Sequence, residues 1–498
     1  MFPSNRQRGA VRLSDLIDDA PGNVHGGDFS FEVKGLTADS RQVRPGFLFA
    51  ALPGSEHDGR DFIAQALDDG AVAVLAPPGT QLDERRAVLI IDANPRRRLA
   101  RLAARFFGRQ PAHIAAVTGT NGKTSVARFT EQLWASLGHQ GASLGTLGLS
   151  GASLDEAAAL TTPDPVALHR SLAGLADQGV SHLVMEASSH GLDQFRLDGV
   201  DLAAAAFTNL SQDHLDYHRD EASYLAAKQR LFDELLAAGG TAVLNADVPQ
   251  FEALRAICRE RDQRLMSYGR RGSELRLVAE RQDGEGQKLD LEIEGRRFEV
   301  RLPLVGGFQA DNALCALGLV LALGAPADAA VAALEHLRGV PGRLEKVAVH
   351  TSGAPVYVDY AHTPDALAHA LTALAPQAAN RLVVVFGCGG DRDRAKRPLM
   401  GNIACRLADR IIVTDDNPRG EEPGAIRRAV LEGCDRGVEV NDRGVAIRAA
   451  VGGLDRGDVL VIAGKGHEQG QLVGHEIRPF DDAQEARRAV RASAEVQP

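Results

Sequence analysis

The sequence predicts an α/β protein built from three domains, the second and third doubly wound around mainly parallel sheets. Three observations lead there. The chain has 498 residues, 44% of them hydrophobic and 24% charged, ordinary globular material whose length suggests roughly three domains. Short apolar runs alternate with stretches of helical period through most of its length, the pattern of parallel strands joined by crossover helices. One strand-to-helix junction, HIAAVTGTNGKTSVARF from His113, carries a glycine-rich turn of the kind that holds phosphate.

From about Ser14 to Gly108 the runs LTADSRQVRPGFLFAAL, AVAVLA and AVLIID read as strands, and RRRLARLAARFFG as a closing helix. This predicts a small N-terminal domain over 1–109. Beyond it HLVMEAS, LAAAAFTNL and TAVLNAD alternate with helical segments such as YLAAKQRLFDELLAAG, a doubly wound pattern. Between 272 and 305 the period changes to two in ELRLVAERQ, KLDLEIEG and RRFEVRLPL, which predicts antiparallel strands inserted before the helix NALCALGLVLALG. The glycine- and proline-rich GVPGRLEKV marks a linker near 341. After it VYVDY, RLVVVFG, RIIVTDD and DVLVIAG predict a second, smaller doubly wound sheet. The expected domains are therefore 1–109, 110–341 and 342–498.

A net charge of −10 argues against non-specific nucleic-acid or membrane-surface binding, so any anionic substrate must be met by local groups. The five cysteines are odd in number, far apart and without a CxxC pair, as in a reduced compartment. The basic N-terminus lacks a following apolar segment, and nowhere do about 18 apolar residues run together. A cytoplasmic location is expected.

In TGTNGKT the backbone amides of Gly119, Thr120, Asn121 and Gly122 and the start of the following helix suit phosphate oxygens. Lys123 supplies a point charge, the Thr124 hydroxyl can bind Mg²⁺, and Ser125 follows. The general pattern GxxxxGK(S/T) requires glycine at 117, where this chain has Val117, so the loop is a variant. No N-K-x-D-like guanine reader follows, which favours ATP over GTP. Downstream, Glu186 ends an apolar run, and Asp213, His214, Asp216 and His218 follow another. Strand ends of open α/β sheets face the ligand crevice, so Glu186 and His214 are candidate Mg²⁺ ligands beside Thr124. Histidine is an uncommon ligand for hard magnesium. His190 and His218 read as structural or supporting residues, and Lys228, by local pattern alone, as a solvated lysine.

Taken in order, TGTNGKT, TTP, EASSHGLDQFR, TNLSQDHLDYH, YLAAK, DYAHTPD, FGCGGDRD, DDNPR and GKGHE resemble the Mur ligases of peptidoglycan synthesis, in particular their diaminopimelate-adding members. The resemblance runs from TADSRQV at 37–43 to GKGHE at 464–468. It implies a UDP-gripping N-terminal domain, a central P-loop-type ATPase domain and a C-terminal Rossmann-like domain that brings the amino acid. It implies an ATP-dependent ligase that makes an acyl phosphate on the γ-carboxylate of D-glutamate in UDP-MurNAc-L-Ala-D-Glu and transfers it to an amine. By resemblance Lys123, Glu186, His214 and Lys228 are catalytic, with Lys228 carbamylated so that it ligates Mg²⁺ together with Thr124, Glu186 and His214. Asn312, Arg343 and Asp359 would join the ATP site. Ser40, Ser55, Glu56 and His57 would touch the uridine end, and Thr161, Thr162, Ser188, Gln194 and Arg196 the muramoyl dipeptide.

In the C-terminal domain the resemblance assigns Arg392, Asp416, Asn417, Pro418, Arg419, Gly464 and Glu468 to meso-diaminopimelate. Arg419 can grip the distal carboxylate bidentately and Glu468 can pair with the distal ammonium. Asp415 has no assigned role. The expected partners are thus the small molecules ATP, UDP-MurNAc-L-Ala-D-Glu and meso-diaminopimelate, with no nucleic acid, no membrane insertion and a monomeric chain. A lysine-adding member of the family differs only in the C-terminal pocket, where lysine would leave Arg419 unpartnered. Folylpolyglutamate synthetases share a GTNGK-type loop but continue with Gly-Ser, where this chain has Thr124-Ser125. A non-catalytic nucleotide-binding regulatory module would bind ATP without needing Glu186, His214 and Lys228 together.

Overall fold

A computed structural model describes residues 10–17, 24–26, 29–54, 57–83, 86–151, 160–211, 217–284 and 286–496. The fold is α/β with three large sheets and two two-stranded ones among the described residues, and the chain packs as two units. One comprises 1–116, 139–204 and 227–240; the other comprises 117–138, 205–226 and 241–498.

In the first unit, strands Gly35–Thr37, Phe47–Ala50, Ala73–Ala76 and Val88–Ile91 lie parallel, with Val24–His25 antiparallel at the edge. Alternate residues face opposite layers, so Leu48 and Leu75 join one core and Phe49 and Val74 another. The predicted closing helix is Pro95–Phe107. Asn94 caps it by accepting from Arg97 N, Pro95 occupies the first turn, and Leu99, Leu102 and Phe106 form its buried stripe. Further on, strand His182–Glu186 runs parallel to Gly141–Gly145, which turns back antiparallel into Gly148–Gly151. Asp198 forms an ion pair with Arg97 at 2.9 Å and accepts from Arg230 at 2.6 Å, tying three segments together around a buried carboxylate. Such a pair is costly to break singly, because the surviving partner stays buried and uncompensated.

In the second unit, Thr241–Asn245 and Arg264–Gly269 are parallel, and the period-two segments form the antiparallel run Leu275–Asp283, Gly286–Ile293 and Arg296–Leu302. Helix Gly307–Ala322 is apolar nearly all round and correspondingly buried; each of Leu314, Leu317 and Leu319 contributes about 1.5–3 kcal/mol of burial. After the Val340–Arg343 bridge comes a six-stranded sheet. Its order is Glu345–Val349, Pro355–Asp359, Val459–Ala463, Leu382–Phe386, Arg410–Val413 and Val438–Glu439, parallel except for the first strand. The strands ending at Asp359, Ala463, Phe386 and Val413 are therefore neighbours and point their carboxyl ends the same way. No helix among the described residues is long and apolar enough to cross a membrane.

Candidate functional site

Strand His113–Thr118, a four-residue turn and helix Lys123–Ser136 form the phosphate-loop junction. The turn needs glycine at both ends. Gly119 and Gly122 have φ of 143° and 88°, and a Cβ there would collide with Thr208 Oγ1 and Asn312 Oδ1 respectively. The turn is pinned from the next strand end: Thr120 N donates to Asn209 O at 2.9 Å, Asn121 N to Asn209 Oδ1 at 2.9 Å, and Thr208 Oγ1 to Asn121 O at 2.6 Å. Lys123 Nζ bonds to Gly119 O and Thr120 O at 2.9 and 2.8 Å, so its charge lies along the turn. Ser125 is buried in the first helical turn.

The linker closes on this loop. Arg343 donates to Thr124 Oγ1 at 3.1 Å and stacks over the Tyr360 ring at 4.3 Å. Asp359 places that segment: its two carboxylate oxygens accept from Leu344 N at 2.6 Å and Ala361 N at 2.8 Å. Burial pushes the Asp359 carboxyl up to about 6, against the lowering pull of Arg343 and the two amides. Asn312 bonds to Gln309 at 3.1 Å beneath Gly122. Two contributors lie inside DYAHTPD and GKGHE but had no role assigned from the sequence: Asp365 accepts from Asn121 Nδ2 at 3.1 Å, and His467 stacks on Tyr360 with its imidazole lowered to about 4 by burial and by Arg343.

Within the first unit a second polar group gathers around Glu186, which is 2% exposed. Its carboxylate accepts from Thr146 N at 2.8 Å and Thr146 Oγ1 at 3.2 Å. Thr161 meets Thr146 Oγ1 at 3.1 Å, Thr162 donates to Glu186 O at 2.9 Å, and Ser188 lies 3.0 Å from Thr162 Oγ1. Arg196 donates to Thr162 O at 2.6 Å and to Gln194 at 2.7 Å. Five predicted dipeptide residues and Glu186 are thus one network, with Thr146 a member that no sequence motif singled out. Ser40 opens a short helical turn capped by Asp39, and His57 packs edge-on against Phe62; both belong to loops of the N-terminal sheet. Ser55, Glu56 and His214 lie outside the described residues.

Lys228 departs from the solvated lysine that its local pattern suggests. It is 1% exposed on helix Glu221–Arg230. A helix of low amphipathic contrast hides such a position from a periodicity argument, because polar and apolar residues do not segregate along it. His218 packs against the rings of Tyr217 and Tyr224, and the Tyr224 hydroxyl lies 3.2 Å from Thr120 Oγ1.

The four strand ends of the C-terminal sheet open on one cleft of about 200 Å³. Arg392, Asp416, Asn417, Arg419, Gly464 and Glu468 all line it. Pro418 lies between Asn417 and Arg419, and its carbonyl accepts from Glu421 N at 3.1 Å, closing the turn. Arg419 stands at φ 51° with its guanidinium donating to Gly390 O at 2.8 Å. Burial first and then the neighbouring Arg392 lower its pKa, against the raising pull of Asp416, Glu468 and Asp391. Asn417 donates to Glu468 at 2.9 Å, and the buried Lys465 bridges Asn417 Oδ1 at 3.0 Å and Glu468 at 2.9 Å.

A hairpin, Gly470–Val473 with Glu476–Pro479, holds this wall from outside. Gln471 donates to Asp416 O at 2.6 Å, Leu472 N to Asn417 Oδ1 at 2.9 Å, Arg419 N to Leu472 O at 3.0 Å and Gly474 N to Arg419 O at 2.8 Å. Neither the hairpin nor Lys465 stood out in the sequence, although Lys465 lies inside GKGHE. Asp415 gains a role here: it pairs with Arg427, which also holds Glu439 at 2.8 Å, so it anchors the turn's base.

A glycine phosphate loop followed by a doubly wound sheet with a doubly charged cleft at its strand ends defines a nucleotide-dependent α/β ligase architecture. The chain matches the Mur ligase family catalytic domain over residues 32–107, the Mur ligase middle domain over 117–320 and the Mur ligase glutamate ligase domain over 342–466. It belongs to the Mur ligase family. Among its relatives is a UDP-N-acetylmuramoyl-L-alanyl-D-glutamate–2,6-diaminopimelate ligase of Bradyrhizobium diazoefficiens, 54% identical over 95% of this chain and 97% of the relative. An identically named protein of Rhizobium meliloti is 51% identical over 96% and 99%. A solved structure of a protein of that name is 33% identical, with TM-score 0.72 over 97% of this chain and 99% of the other.

Proposed function

We propose that the chain is an ATP-dependent, ADP-forming amide ligase that adds meso-diaminopimelate to UDP-N-acetylmuramoyl-L-alanyl-D-glutamate in cytoplasmic peptidoglycan precursor synthesis. The observation that carries the choice of amino acid is the C-terminal cleft, where Arg392 and Arg419 share a wall with Asn417 and Glu468. Such a wall complements a substrate whose far end bears a carboxylate and an ammonium. In this reading 1–109 binds the UDP end, 110–341 works on ATP and 342–498 brings the amino acid.

The chemistry follows from the charges. The γ-carboxylate of D-glutamate attacks the γ-phosphoryl group, the bond to the leaving ADP oxygen breaks, and an acyl phosphate forms. The amine of diaminopimelate then attacks the acyl carbon, and the tetrahedral intermediate expels phosphate. Lys123 and the loop amides stabilise negative charge on the transferring phosphoryl, while Arg343 and Asn312 hold the nucleotide, with Asp359 fixing the segment that carries Arg343. Thr161, Thr162, Ser188, Gln194 and Arg196 orient the dipeptide, with Ser40, Ser55, Glu56 and His57 toward uridine.

Mg²⁺, when bound, neutralises repulsion between phosphate oxygens and the attacking carboxylate. Thr124, Glu186, His214 and Lys228 would hold it. The donors fit a hard cation where they are described: a hydroxyl, a buried carboxylate oriented by Thr146, and a buried lysine that carbamylation would turn into an anionic oxygen donor. Incorporation of labelled bicarbonate as a carbamate carbon in NMR checks Lys228, and active enzyme without that signal removes the role.

Phosphate release measured with UDP-MurNAc-L-Ala-D-Glu and either diaminopimelate, lysine or no amino acid tests the whole reading. Release should require both substrates and prefer diaminopimelate by ~10⁴-fold, since lysine leaves a closed pocket with an unmatched guanidinium. Equal release with lysine would sink it.

A further inference from the structure

Four of the five cysteines, Cys258, Cys315, Cys388 and Cys434, are buried, and Cys405 is partly exposed. Cys405 lies in the last turn of helix Lys396–Leu407, and Cys434 follows helix Pro423–Leu431. The two helices pack closely, since a Cβ on Gly401 would strike Val430 O. Cys434 lies in an apolar cluster against which Cys405 packs, and each thiol shifts the titration of the other. Arg436 donates to the Cys405 carbonyl and lends its charge to the sulfur, while Cys405 Sγ also donates to Asp435 at 3.8 Å. Cys434 and Arg436 together bring the Cys405 thiol below its ordinary range. Burial pushes Cys434 and Cys258 up to about 11, and Cys315 and Cys388 up to about 12.

We propose that Cys405 and Cys434 are a peroxide-reactive dithiol, in which Cys405 is oxidised first and Cys434 resolves it as a reversible intramolecular disulfide. The Cys405 thiolate attacks one oxygen of hydrogen peroxide, the O–O bond breaks and hydroxide leaves, giving a sulfenic acid. The Cys434 sulfur attacks the sulfenic sulfur, the S–O bond breaks, and hydroxide departs with the Cys434 proton as water. Net, two thiols and one peroxide become one disulfide and two waters. The cross-link would fall about 13 Å along the helix from Lys396, which lines the amino-acid cleft. It pins two helices that are already packed and caps the one exposed thiol against further oxidation.

The test treats the full chain with a small excess of hydrogen peroxide, alkylates remaining thiols and maps the peptides. The expected result is a Cys405–Cys434 linked peptide, the loss of two hydrogens in intact mass, and full reversal by dithiothreitol. It should form at least ~10-fold faster than oxidation of Cys388. In the C434S variant Cys405 should instead accumulate as a sulfenic acid trapped by a cyclic diketone. C405S should form neither product while keeping the thermal midpoint of the reduced parent. The proposal is overturned if the parent chain carries Cys405 on to sulfinic acid, links it to another chain, or oxidises it no faster than Cys388.

Discussion

The phosphate loop and the C-terminal cleft proposed for the amino acid lie in the same unit of the fold but are built in opposite ways. The loop is contiguous: residues 119–125 supply backbone amides, a lysine and a hydroxyl, and neighbouring segments only clamp the turn. The cleft is distributed, drawing on four strand ends between Asp359 and Glu468 and on a hairpin that backs them. A contiguous site fixes its chemistry in backbone geometry and treats every amino acid alike. A distributed site encodes identity in side-chain charge, so it can be retuned without touching the loop.

That contrast breaks most severely at Lys123. The K123A variant is expected to lose ~10³-fold in kcat/KM, because a charge aimed at the transferring phosphoryl acts mainly in the transition state. The ratio of diaminopimelate to lysine turnover should not change. Steady-state kinetics with both amino acids decide this, and a changed ratio would mean that the two regions are not separable.

The R419K variant is expected to cost about 3 kcal/mol, or ~10²-fold in kcat/KM for diaminopimelate, since an ammonium cannot reproduce the planar fork. Its KM for ATP should stay within about twofold of the parent. A matching rise in the ATP KM would place Arg419 in the loop's machinery instead. Smaller still is Q471A, which removes the 2.6 Å bond to Asp416 O and leaves the rest of the hairpin in place. One such bond is worth about 1 kcal/mol, so the diaminopimelate KM should rise about fivefold with kcat intact. An unchanged KM would reduce the hairpin to a covering element.

Legibility in the sequence divides along the same line. The loop could be read directly, because a strand, two glycines and Lys123-Thr124 at a helix start are all local. The period-two change at 272–305 likewise announced antiparallel strands, since alternation is a property of one segment. Common occupancy of the four strand ends followed from their order in a parallel sheet, a topological inference. Thr146, Lys465 and Gln471 escaped because their roles depend on burial or on partners distant in sequence. Lys228 looks like a surface lysine by local pattern and stands out only through the family resemblance; its 1% exposure is a tertiary fact that no local pattern carries. Gln471 needed the hairpin to fold against DDNPR before its amide had anything to hold. Asp415 had no role assignable from the sequence, because its partner Arg427 lies on the following helix.

The last expected effect is on stability rather than turnover and concerns Asp359, where the segment carrying Arg343 is joined to the one carrying Tyr360. Its carboxyl is raised from 3.8 to about 6 in the folded chain, chiefly by burial. The folded state therefore binds a proton more tightly than the unfolded state between about pH 4 and 6. Stability from this group is fully present below the unfolded value and declines as pH rises through about 6. Asparagine cannot titrate, so D359N should remove this component of the slope. It should also cost about 1 kcal/mol, because its amide accepts through one oxygen only and leaves Leu344 N or Ala361 N unmatched. Urea midpoints of parent and variant across pH 4–7 isolate the group from other titrations, including Asp311, which burial also raises to about 6. A difference that narrows steadily up to about pH 6 supports a latch set by a buried carboxyl. A difference independent of pH would mean that both amides are held by geometry alone, and that loop and cleft are joined here without any electrostatic coupling.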